Sequence, residues 1–88
     1  MTKPDRPHPN VVFTRLDDTS AVLLNLDNKR YYTLNETGAD LWRRLECGDD
    51  RETMVRALRE EFEITPEEAR EAIDEFFEEL RRERLLSR

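Results

Sequence analysis

The sequence predicts an α+β domain: a three-stranded antiparallel sheet followed by three helices, the arrangement of a winged helix-turn-helix. Three observations point there. Hydrophobic residues change from strand-like to helical spacing near residue 35. Turn-sized polar stretches separate the apolar segments of the first half. Capping residues precede the helical segments of the second half.

The first strand is Val11-Val12-Phe13-Thr14-Arg15-Leu16, β-branched and aromatic, ending at the turn-prone Asp17-Asp18-Thr19-Ser20. The second, Ala21-Val22-Leu23-Leu24-Asn25-Leu26, is apolar on both faces, as a central strand is. Asp27-Asn28-Lys29 makes a tight reversal, with Asn28 expected to be the left-handed residue. Arg30-Tyr31-Tyr32-Thr33-Leu34 returns as the third strand, completing a meander.

Asn35 then caps a first helix with the apolar stripe Leu41, Trp42 and Leu45, stopped by Gly48. Gly38 costs this helix roughly 1 kcal/mol relative to alanine, which is tolerable if another backbone approaches there. Asp49 or Asp50 caps a second helix carrying Met54, Val55, Leu58 and Phe62 at helical spacing. Thr65-Pro66-Glu67-Glu68 opens the third: Thr65 as N-cap, Pro66 in the first helical position, Glu68 closing a capping box. This helix carries Ala69, Ala72, Ile73, Phe76, Phe77 and Leu80, with Arg81, Arg82 and Arg84 near its end, as the helix dipole favours. Leu85 and Leu86 are expected to fold back onto the domain. Trp42 is expected to anchor the core.

Eighty-eight residues, 41% of them charged, bound what the protein does. A chain this short buries only roughly 60–65% of its unfolded surface, too little for a deep walled cavity. No apolar run approaches the roughly 18 residues of a membrane span, and Met1-Thr2-Lys3-Pro4-Asp5 has no signal-peptide core, so no membrane association and a cytoplasmic location are expected. Residues 1–10 hold three of the four prolines and read as a flexible segment, leaving residues 11–88 as the domain.

Charge divides the chain, with net +1 over residues 1–34 and −7 over residues 35–88. From Pro66 to Leu80 there are seven acids and one base, Arg70. The winged-helix arrangement raises nucleic-acid binding, but binding to duplex DNA replaces counterions with Lys and Arg, and this helix would repel phosphate. A nucleic-acid-binding regulator is the least favoured alternative, and no nucleic-acid partner is expected. Catalytic and cofactor chemistry finds few candidates. His8 is the single histidine, set between prolines. Cys47 is the single cysteine, expected to be a partly buried small residue. One of each cannot build a zinc site, and the two glycines form no phosphate loop. No enzyme activity and no cofactor are expected; a binding module is.

The last strand of a meander is an edge with unpaired N–H and C=O groups unless something covers it. Beside it, the third helix has more apolar width than one core needs. Phe77 is rotated by about 100° from Phe76, so one of them faces the core and the other can line a groove between helix and edge. Tyr31 and Tyr32 point to opposite faces of the sheet. The candidate peptide-binding residues are therefore Arg30, Tyr31, Tyr32, Thr33 and Leu34 on the strand, with Ala69, Ile73, Phe76, Phe77 and Leu80 on the helix. Together they suit β-augmentation, in which an extended peptide pairs with the edge.

Leu23-Leu24-Asn25-Leu26, Arg30-Tyr31-Tyr32-Thr33-Leu34-Asn35, then Gly38, Trp42, Leu45 and Gly48 resemble the PqqD-like family of peptide-recognition proteins. Thr53-Met54-Val55, Leu58, Phe62 and the later Ala72-Ile73-Asp74, Phe76-Phe77, Leu80 fit the same pattern, so the resemblance spans about residues 11–86. It implies a RiPP recognition element, which binds leader peptides of ribosomally synthesised, post-translationally modified peptides. In that family the leader adds to the third strand and lies against the third helix. The Arg-Tyr-Tyr-x-Leu-Asn run and short length most resemble the free-standing B1 proteins of lasso-peptide biosynthesis. Those imply as partners a precursor leader peptide and a cysteine-protease-like B2 leader peptidase. The runner-up is the PqqD of pyrroloquinoline quinone synthesis, which works with a radical-SAM enzyme. Two features depart from the pattern: a hairpin turn without glycine, and the strongly acidic third helix.

Overall fold

The computed structural model describes residues 6–87. Its first turn is built by Asp17, whose carboxylate accepts from the Thr19 amide at 2.8 Å and the Ser20 hydroxyl at 2.9 Å. These bonds, the Thr19 amide foremost, hold the Asp17 carboxyl below its ordinary range. The turn joins β1 (Val11–Asp17) to β2 (Ser20–Asn25), and a second reversal leads to β3 (Arg30–Asn35). The sheet is antiparallel throughout, in the order β1-β2-β3, with a register irregularity between Arg15 and Asp17.

The second reversal differs from expectation in one residue. Lys29 is the left-handed one, at φ 61°, and Asn28 is not. Asn28 instead uses its side chain, accepting from the Arg30 amide at 3.0 Å. An asparagine that bridges two residues on mimics a backbone turn, and the positive φ passes to its neighbour.

Three helices follow as expected: α1 (Glu36–Glu46), α2 (Arg51–Glu61) and α3 (Pro66–Arg82). Asn35 caps α1 by accepting from the Gly38 amide at 2.8 Å. The close neighbours of Gly38 are side chains rather than another backbone: a Cβ there would lie 3.2 Å from Leu34 Cδ2 and 3.3 Å from Asn35 Oδ1. A larger residue would crowd the cap. Asp50, not Asp49, caps α2, accepting from the Thr53 amide at 2.8 Å. The Thr65–Glu68 capping box at the start of α3 is complete, with bonds of 2.9 and 3.1 Å.

Trp42, Phe77, Leu23, Leu34, Met54, Ile73, Leu80 and Leu85 make the centre of the core. Two apolar residues fall outside expectation. Phe62 lies just past the end of α2 in extended backbone and is 42% exposed; Ile64 packs on the core instead. Cys47 is exposed rather than partly buried. It sits two residues beyond Leu45, a rotation of about 200° from the buried stripe of α1.

Leu85 and Leu86 do fold back, and they meet the start of the chain. Pro7 and Leu86 form an antiparallel bridge, the His8 amide donates to the Leu85 carbonyl at 3.0 Å, and the Ser87 amide donates to the Arg6 carbonyl at 2.8 Å. Residues 6–8 of the segment read as flexible are therefore bonded to the domain's far end and Asn10 to Leu26 and Asp27, while Met1–Asp5 lie outside the described residues. The turn after α3 places Arg84 at φ 61°, where its carbonyl accepts from Asn25 Nδ2 at 2.9 Å. Among the described residues no helix is long and apolar enough to cross a membrane.

Candidate functional site: the edge of the third strand

β3 pairs with β2 on one side, and no strand or bridge among the described residues pairs with its other side. β1 is also an edge, but it is interrupted by the irregularity at Arg15–Asp17, and such irregularities discourage further pairing. β3 is regular, opposing β2 residue for residue from Arg30↔Asn25 to Asn35↔Ser20.

Alternation along β3 divides its side chains. Leu34 and Tyr32 share the helix side of the sheet with their buried partners Ala21 and Leu23, and Arg30 shares it with buried Asn25. Tyr31 and Thr33 occupy the opposite face, where Tyr31 is 72% exposed.

Next to this edge, β3, the start of α1 and the middle of α3 enclose a cleft of about 250 Å³. Its strand wall is Tyr32, Thr33, Leu34 and Asn35; α1 contributes Thr37, Gly38 and Leu41; α3 contributes Ala72, Glu75, Phe76 and Glu79. The Tyr32 hydroxyl donates to the Glu79 carboxylate. Burial, reinforced by that bond and the Glu79 charge, pushes the Tyr32 phenol up to about 12. The cleft thus has an apolar floor and acidic groups on its helix wall, and it offers backbone hydrogen bonds along one side. Those features suit holding an extended chain.

The structure separates the helix residues singled out from sequence. Phe76 lines the cleft, and Phe77 faces the core, their rings meeting edge to face at 6.1 Å. Ala69, Ile73 and Leu80 are buried with Phe77 beneath the cleft rather than lining it. Arg51 stacks over the Phe77 ring at 4.2 Å and pairs with Asp74 on α3, fixing α2 against α3. Sequence reasoning missed Ala72, Glu75 and Glu79 as cleft residues. The available signal was their spacing: with Phe76 they form a second helical stripe beside the core stripe, in which Ala72 is the lone small residue among charges.

A small α+β domain with an open sheet edge alongside a helix is the class this fold and cleft define. The chain belongs to the PqqD family: the family model described as "Coenzyme PQQ synthesis protein D (PqqD)" matches residues 20–86. Comparison with curated proteins finds no match. Two solved structures are similar along almost the whole chain. One is TbiB1 in complex with the TbiA(beta) leader peptide, 28% identical, covering 92% of this chain and 93% of that one, with a TM-score of 0.86. The other is lasso peptide synthetase B1 complexed with the leader peptide, 24% identical, covering 96% of this chain and 98% of that one, with a TM-score of 0.87.

Proposed function

We propose that this protein binds the leader region of a ribosomally synthesised precursor peptide, without catalysis, by adding it as a strand to β3, and presents it to a separate processing enzyme. The open, regular edge of β3 beside the cleft is the observation that carries this reading. Backbone bonds along Arg30 to Leu34 supply register, and Phe76, with Ala72 beside it, supplies an apolar seat for a leader side chain. Ala69, Ile73, Phe77 and Leu80 support that seat from below.

The likeness to TbiB1, which is bound to a leader peptide, supports leader binding. The lasso-peptide pathway, with a B2-type leader peptidase as the receiving enzyme, rests on the resemblance of the Arg30–Asn35 run and is in keeping with the fold shared with lasso peptide synthetase B1. Delivery to a radical-SAM enzyme in coenzyme PQQ synthesis is the second reading, favoured by the family model's description. Under either reading the protein would work in the cytoplasm, where precursors are made.

The test is amide exchange with and without a saturating synthetic leader peptide, with duplex DNA as a control. The leader should slow exchange in Arg30–Asn35, and DNA should not. Unchanged exchange in β3 at saturation would overturn strand addition.

A further inference from the structure

The cleft by Phe76 covers only one end of β3. At the other end lies a second, larger cavity of about 760 Å³, and its charge is opposite. Arg30 from β3, Arg81 from α3 and Arg84 from the turn after it all line it. Among the described residues its one carboxylate is Asp27, which already accepts from Asn10 Nδ2 at 2.9 Å and faces His8 Nε2 at 3.4 Å. A chain of net charge −6 has gathered three arginines from separate elements at one end of its open edge. The cause lies in the course of α3. Glu75 stands beside Leu34 and Asn35, Glu79 beside Tyr32, and Arg81 and Arg84 beside Arg30. The helix runs opposite to β3, so its acidic middle and basic end face opposite ends of the strand.

We propose that the Arg30 end of the edge takes an acidic side chain of the bound peptide, so that peptide sequence and direction are read by charge. The inference rests on the strand-addition reading and deepens it. An added strand is expected to run antiparallel to β3, as in the rest of this sheet, because antiparallel pairing is the more stable per residue. Residues directly opposite one another share a face. A peptide residue opposite Leu34 therefore faces the Phe76 seat, and the residue four positions later stands opposite Arg30, on the same face. The recognised pattern is an apolar residue followed four positions later by Asp or Glu. In a parallel peptide the acid would come four positions before the apolar residue.

The test uses a random peptide library displayed on its encoding mRNA and selected against the whole protein. Enriched peptides are synthesised and checked for slowed exchange in β3. Strand-adding peptides should carry Asp or Glu four positions after an apolar residue, and replacing that acid by Gln or Asn should weaken binding by about tenfold, the scale of a charge-assisted hydrogen bond. Against Arg84→Glu, and separately Arg30→Gln, that replacement should cost less than about twofold. Two variants are used because Arg30 lies in the strand, and both are checked for wild-type melting. Strand-adding peptides with no acidic preference, or with the acid on the N-terminal side, would overturn this inference and leave the leader-binding reading standing. Failure to enrich any peptide that protects β3 would overturn that reading and this inference with it.

Discussion

The hydroxyl of Tyr32 donates to the carboxylate of Glu79, and the bond ties the open edge of the sheet to the third helix. It marks the boundary between the apolar cleft on one side and the arginine-lined cavity on the other. Four measurements probe this edge and the core beneath it.

The first is alkaline titration. The Tyr32 phenol is raised from its ordinary value of 10.0 to about 12, by burial first and by Glu79 second. A folded-state value above the unfolded one means a stabilising contribution that is complete below about pH 10 and lost as pH rises toward 12. Phenolate absorbance should show a late-ionising tyrosine that disappears in Tyr32→Phe and ionises earlier in Glu79→Gln. A Glu79→Gln titration indistinguishable from wild type would mean that the bond is not kept in solution.

The second concerns Asn25, the buried polar residue of the sheet at 3% exposure. Its Nδ2 donates to the Arg84 carbonyl and its Oδ1 accepts from the Asp27 amide at 2.8 Å. Asn25→Ala leaves both partners short of a bond and should cost about 1–3 kcal/mol in urea unfolding. Exchange at the Leu85 and Ser87 amides should rise with it.

Trp42 is the third. It is fully buried, with its indole N–H on Glu46 at 3.0 Å. Trp42→Ala should cost about 3–5 kcal/mol, enough to unfold most or all of a domain this small. A variant that melts normally yet loses leader binding would move Trp42 from the core to the site.

The fourth separates the adjacent phenylalanines. Phe76→Ala should mainly speed dissociation of a bound leader, by about tenfold or more, because anchors in desolvated pockets carry most binding energy. Phe77→Ala should act first on stability, costing about 3–5 kcal/mol in the melt. Equal effects of both on stability, with none on the dissociation rate, would remove Phe76 from the proposed interface.

Local rules made most of the architecture legible. The Asp17 turn, the N-caps Asn35 and Thr65 and the Thr65–Glu68 box are decided by residues within four positions of one another, so a linear reading finds them, while for α2 it leaves Asp49 and Asp50 open until the structure gives Asp50. The open edge followed from the meander alone. What escaped depends on the fold's third dimension. That Phe76 rather than Phe77 lines the cleft is settled by how α3 lies on β3; Ala72 reads as one more apolar position of the helix, and Glu75 and Glu79 as part of its acidic face, until a strand is placed beside them. Lys29 took the left-handed position because the Asn28 side chain found the Arg30 amide, a choice between neighbours that residue preferences rank the other way. The basic cavity joins residues as distant as His8 and Arg84, and no spacing rule links those positions.

The bridge between Pro7 and Leu86 brings residues 6 and 87 together at one corner, and His8 and Leu86 border the cavity at Arg30. Under the proposed strand addition, an antiparallel peptide would leave β3 at that same corner, carrying the part of the precursor that follows the leader. Any segment attached before residue 6 or after residue 87 starts within a few side chains of that exit. A short covalent tether at either end would therefore hold a second protein near the emerging substrate at an effective concentration on the order of millimolar, with no new contact surface needed. Two fusion geometries that differ in sequence are nearly equivalent in space.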